Sequence, residues 1–328
     1  MRFAVWAPLL LPLLVAPLLA LPQVRSLPDR LPPRLAAWLL TGTAVGLAGA
    51  GTVALGLLAL TALLHLPFVA ALGHLDLPFA RHLAPAAVVP AGAVAGVLLL
   101  ALVGRAARVL RRHRSERTEA WRLIAAQPGS AVADPAVADP DPVGADGLAL
   151  LPGELPDAYA LPGGLRRSGR IVVTRGMLRV LEPAELTVLL AHERAHLTGR
   201  HHLFLLLADL SAALHPLLLP LRDGAAYAVE RWADESAAAS VADRRLVARA
   251  IGRAALAGGG HAPLRMAAGP VPRRVAALLG AGQDRRTSRR GAVLVAAVLV
   301  AALGLSLGTA LDAATDLHAQ VEVAQQGR

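Results

Sequence analysis

LLAHERAHLTGRHHLFLLLADLSAALHPLLLPL, Leu189 to Leu221, joins two kinds of sequence. The first half carries His-Glu-Arg-Ala-His. On a helix His192 and His196 are four residues apart and share a face, with Glu193 beside them. That spacing suits a divalent metal held by two imidazoles, next to a carboxylate that can take a proton from water. The motif alone is also compatible with a pair of buried, hydrogen-bonded histidines. The second half, Leu203 to Leu221, is apolar enough to pass as a membrane span. How it runs decides the fold, because a downstream carboxylate that completes a metal site must return to the same side of the membrane as His192.

Such a carboxylate is present. AVERWADE, Ala228 to Glu235, holds Glu230 and Asp234 one helical turn apart. A site of two histidines and one carboxylate keeps its fourth position open to water, and Glu230 suits the third ligand. Asp234 can accept a hydrogen bond from a ligand imidazole and fix its tautomer. The plainer alternative is a charged helix face, since Arg231 and Glu235 lie alongside. The chain has no cysteine, so a zinc ion would depend on histidine and carboxylate. A single crossing by Leu203–Leu221 would strand Glu230 across the bilayer from His192. Asp209, His215, Pro216 and Pro220 argue against a simple span. The run is therefore expected to lie in the interface or against other spans, with a break at His215–Pro216. His201 and His202 read as a flank at a helix end rather than as ligands.

Of the 328 residues, 55% are hydrophobic and only 3% aromatic. The apolar residues gather in runs over 3–22, 35–64, 84–103 and about 292–311, each long enough to cross a bilayer as helix. The first run could serve as a signal peptide; its length and prolines favour a retained helix. Residues 105–147 are a basic segment followed by a low-complexity linker in which AVADP occurs twice. Residues 148–282 read as a soluble domain, 283–311 as a basic flank and last span, and 312–328 as a short extracytoplasmic tail. The expected fold is thus a mainly α membrane protein. It has about four transmembrane helices and an inserted α+β, zincin-like metallopeptidase domain.

The net charge of +10 comes mostly from arginines beside the apolar runs. It therefore points to topology in a cell membrane rather than to direct nucleic-acid binding. The strongest clusters follow the third span and precede the last, which puts the peptidase domain in the cytoplasm. Within that domain AYAL (158–161) and RIVVTRGML (170–178) are β-prone, separated by the turn-rich PGGLRRSG. An edge strand there would hold an extended substrate. A helix is expected from about Pro183, with Leu186, Val188, Leu189 and Leu190 turning the two histidines inward.

VTRGML, LEPAELTVLLAHERAHLTGRHH and AVERWADE, in that order and between spans, resemble the integral-membrane zinc metallopeptidases of the BlaR/MecR antirepressor type. The same core is similar to HtpX-like peptidases. The resemblance implies His192, His196 and Glu230 as zinc ligands, Glu193 as general base and Asp234 as the acid behind the ligands. It implies an endopeptidase in signal transduction that cleaves a cytoplasmic protein such as a DNA-binding repressor. The alternatives are an HtpX-like quality-control peptidase and a catalytically inactive membrane scaffold. The antibiotic sensors carry a large extracellular penicillin-binding domain after their last span. Here Asp312 to Arg328 holds no serine-lysine acylation motif, so direct β-lactam sensing is not expected. For the oxyanion partner, Tyr227, His261 and Arg244 are candidates.

Overall fold

A computed structural model describes residues 27–64, 88–126, 147–164, 168–257, 271–280 and 285–326, with isolated positions at 13, 14, 17, 66 and 68. The expected first span, most of the linker and His261 lie outside these residues. A single turn, α1 (Leu27–Arg30), leads into α2 (Pro33–Leu64). The next helix, α3 (Val88–Ala125), packs along α2 and does not stop where its apolar stretch ends at Gly104. It continues through the arginines expected to begin a linker, because Arg, Glu, Ala and Leu are all good helix formers. The last helix, α10 (Arg285–Gln326), also lies against α2. Three described helices are long and apolar enough to cross a membrane: Pro33–Leu64, Val89–Ala125 and Ala296–Asp316.

Between α3 and α10 the chain builds a small sheet and a helical layer. The strands are β1 (Leu148–Leu151), β2 (Ala158–Leu161) and β3 (Arg170–Thr174), in the order β1-β3-β2. β1 runs parallel to β3, and β2 antiparallel, with Tyr159 opposite Val172. β3 is central and buried, as its Ile-Val-Val run requires, which leaves β2 as an edge. The sequence suggested extended chain as far as Leu178. Instead the strand ends at Thr174, which caps α4 (Arg175–Val180). Thr174 Oγ1 accepts from the amides of Met177 (3.2 Å) and Asp157 (2.9 Å) and donates to the Leu155 carbonyl (2.8 Å). That set of bonds overrides the apolar pattern of RGML. Gly176 is needed beside it, because a Cβ there would collide with the Glu154 carbonyl.

Helix α5 (Pro183–Thr198) opens with a capping box between Glu182 and Glu185 and proline in its first turn. It stops at Gly199 and Arg200, the latter at φ 50°. The apolar run then forms α6 (His201–Leu214), which packs on α2 and α3. The break falls at His215, whose φ of −143° and ψ of 91° leave the helical region ahead of a 3-10 turn at Pro216–Leu218. From there α7 (Leu219–Val241) packs back along α6 and brings Glu230 to α5. The run is thus one arm of a helical hairpin. Its turn nests against α2, where a Cβ on Gly51 would lie 2.8 Å from His215 Cδ2. Leu40 and Leu47 of α2, Phe204 and Ala208 of α6, and Leu221 and Val229 of α7 share one buried cluster. The remaining elements, α8 (Arg244–Ala257) and α9 (Val271–Leu279), pack on each other and on α7, with α8 also lying against α5.

The cap at Thr174 gives a direct test. Thr174→Val keeps the shape and loses the hydroxyl, so it should cost about 1–3 kcal/mol in thermal or urea unfolding of the detergent-solubilised protein. Thr174→Ser should stay close to the parent. Equal stability of the valine variant would mean that the cap does not hold the strand–helix junction.

Candidate metal centre

The ring nitrogens of His192 and His196 and the Glu230 carboxylate lie within 4.8 Å of one another and could hold a metal ion. The Nε2 atoms of the two histidines are 3.1 Å apart. Glu230 Oε2 is 3.7 Å from His192 Nε2, and its Oε1 is 3.6 Å from His196 Nε2. Ligands about 2.05 Å from a tetrahedral zinc are separated from one another by roughly 3.3 Å, so the spacing of the two nitrogens and the Glu230 carboxylate is close to the edges of such a tetrahedron. Charge points the same way. Glu193, Glu230 and Asp234 face one buried cation, Arg274, which leaves about two formal negative charges for a divalent ion to balance.

Arg274, on α9, was not singled out by the sequence. It is 5% exposed. Its Nε and Nη2 donate to the two oxygens of Asp234 at 2.8 and 2.6 Å, and its Nη1 stands 2.9 Å from Glu230 Oε2. Burial pushes both carboxyl groups up, but Arg274 and the histidines outweigh it and hold them below the usual carboxylate range. Asp234 Oδ1 is also 3.0 Å from His192 Nδ1, at ion-pair distance although no hydrogen bond closes in this geometry. Burial alone would lower His192. Asp234 and Glu230 reverse that and raise it to about 10, whereas burial takes His196 down to about 4.

His201, read as a flank, lies instead behind His196. It is fully buried, its Nδ1 is 3.0 Å from His196 Nδ1, and its ring centre lies 4.5 Å from that of Trp232, the two planes tilted at 51°. Burial, with the neighbouring His196, lowers it to about 3, so it is neutral. In the tautomer in which His196 Nδ1–H donates to His201 Nδ1, the His196 Nε2 lone pair is left for a metal. Gly199 makes room for this ring, because a Cβ there would run into it.

A cleft of about 390 Å³ contains the cluster. His192, Glu193, His196, Glu230 and Arg274 line it together with edge strand β2. His202 also borders it, away from the cluster. The two oxyanion candidates among the described residues do not gather there. Tyr227 donates to Asp29 Oδ1 at 2.9 Å, and Arg244 holds Glu235 at 2.6 and 2.7 Å; neither lines the cleft.

Residues 146–231, about a quarter of the chain, match the family model described as Peptidase family M48. The match takes in the sheet, α4, α5, α6 and α7 as far as Arg231, and stops short of Asp234 and Arg274. No curated protein and no solved structure matches the chain.

Three outcomes follow from the buried charges. Arg274→Gln leaves Asp234 and Glu230 without their guanidinium and should cost about 3–5 kcal/mol in the metal-free protein, part of it restored by added zinc. Unchanged unfolding without metal would show that the pairing does not stabilise the fold. In the metal-free protein His192 is raised. Its contribution to stability is therefore present below 6.5 and lost as pH rises through about 10. Asp234 and Glu230 are depressed, so theirs is present above the ordinary carboxylate range and lost as pH falls below that range toward their lowered values. A metal must displace the His192 proton. Zinc affinity should therefore rise about tenfold per pH unit between about pH 7 and 9, read by competition with a chromophoric chelator. A flat profile would rule out a protonated His192.

Proposed function

We propose that this chain is a membrane-embedded, zinc-dependent endopeptidase that cleaves a cytoplasmic protein in a regulatory role, such as the removal of a transcriptional repressor. The observation that carries this is the His192–His196–Glu230 cluster, lying in one cleft with Glu193 and the free edge of β2. The match of residues 146–231 to a peptidase family supports it. The arginines that follow the apolar part of α3 and precede that of α10 support a cytoplasmic domain.

His192, His196 and Glu230 are the residues that would hold zinc, and a bound ion would supply a Lewis acid for the scissile carbonyl and lower the pKa of water toward neutral. Glu193 takes a proton from the attacking water and delivers it to the leaving amine. Asp234 and His201 orient the two imidazoles from behind, so that both Nε2 atoms are presented to the same point. A substrate in extended conformation adds to β2 as a further strand, its main chain pairing with Ala158–Leu161. The assembled donors and the base argue against an inactive scaffold.

The purified protein should carry about one zinc per chain. Glu193→Gln should keep that zinc and lose cleavage by about 100-fold or more. Proteolysis by this variant at the parent rate would overturn the assignment of the base. The same variant, used as bait in cells, should retain a soluble DNA-binding protein. Retention of integral membrane proteins alone would move the role to membrane-protein quality control.

A further inference from the structure

A second cavity, of about 560 Å³, opens where α3 leaves its apolar stretch. No charged residue occurs from Val88 to Gly104. Arg105, Arg108 and Arg112 then follow at i, i+3 and i+7 along one face of the helix and line the cavity. Arg222 of α7 joins them from the hairpin. The two acids of the cavity are already engaged: Glu116 with Arg112 at 2.7 Å, and Asp209 with Arg222 at 2.8 Å and His113 at 2.9 Å. Arg105 and Arg108 are exposed and have no carboxylate within ion-pair reach among the described residues. The inner wall is apolar, made by Ala208, Ala212, Ala213, Leu219 and Ala226.

A cationic mouth over an apolar wall, at the point where a membrane helix turns basic, matches an amphiphile with an anionic head. We propose that this cavity binds an anionic phospholipid of the cytoplasmic leaflet, its phosphate between Arg105 and Arg108 and one acyl chain along the alanine wall of the hairpin. The proposal rests on the membrane placement given above, not on peptide cleavage. A free phosphate would satisfy the arginines and leave the apolar wall wet, whereas an acyl chain covers it. The site also has a route to the metal centre. His113, His202 and Leu205 line both this cavity and the catalytic cleft, so an occupant here packs against the back of the cleft wall.

Native mass spectrometry of the full chain in a non-ionic detergent tests it, with dioctanoyl phosphatidylglycerol as probe. One lipid per chain should bind, at least about tenfold tighter than dioctanoyl phosphatidylcholine, and inorganic phosphate at equal concentration should not displace it. Arg105→Gln with Arg108→Gln should bring the affinity down to that for phosphatidylcholine. Both side chains are exposed, so an unchanged unfolding temperature will show that the fold is kept. Arg111→Gln with Arg122→Gln removes the same charge from the same helix outside the cavity and should leave binding intact. Equal binding of the two lipids would mean an apolar cleft with no headgroup site, and displacement by phosphate would mean a simple anion site. An unaffected Arg105/Arg108 double variant, or equal loss in the control pair, would also overturn the proposal. None of these readouts depends on cleavage, so a failure here is distinct from a failure of the peptidase assignment.

Discussion

A buried guanidinium that binds two carboxylates at once sets the terms for the rest of this structure. Arg274 takes both oxygens of Asp234 and one of Glu230 in a place from which water is nearly excluded. A buried charge costs several kcal/mol unless it is paired, so these groups are only tolerated together. The pairing fastens α9 to α7 and fixes the rotamers of both acids. It also leaves Glu230 Oε1 directed at His196, while Oε2 is shared between Arg274 and His192. Arg274 alone cannot neutralise all the acids in the cleft, and the remaining negative charge is met by a proton on His192 or by a metal. Proton and metal therefore compete for the same nitrogen.

The neighbouring Arg273 extends this frame toward the membrane. It lies over the Tyr227 ring at 4.4 Å and donates to Asp29 at 3.0 Å, while Tyr227 donates to the same Asp29. Asp29 sits on α1, immediately ahead of α2. Two successive arginines thus address different partners, one at the candidate metal centre and one at the start of a helix long and apolar enough to cross a membrane. The hairpin obeys the same accounting. Asp209, the charge within the apolar run, is held from both sides, by His113 of α3 and by Arg222 of α7. A charge that argued against a span becomes the clasp between three helices.

Local chemistry was the legible part. The i, i+4 spacing of His192 and His196, the proline start of α5 and the break at His215–Pro216 are written within a few residues, and the chain obeys them. The juxtaposition with Glu230 could be argued because only a returning segment keeps the acid on the same side. What escaped was decided at long range. LALL at Leu148–Leu151 is too short to read as a strand without its partner β3, 23 residues further on in the register of Leu148 with Ile171. RGML is apolar enough for a strand and becomes a helix because Thr174 caps it. Arg274 sits in PVPRRV among many arginines, 40 residues from Asp234, and nothing nearby marks it as buried. His201 was demoted because its role depends on a ring–ring approach across the Gly199 bend.

The hairpin carries one further consequence. His196 and Glu230 are held together by a chain that travels out along α6 and back along α7. Added length at the tip, in the 3-10 turn, moves only the tip. A residue inserted between Leu219 and Glu230 would instead turn the acid by about 100° around the helix axis and away from its histidines. Related chains that keep this centre should therefore tolerate insertions and deletions at Pro216–Leu218 while conserving the residue count of the returning arm. The depth of the hairpin is free to drift, and its phase is not.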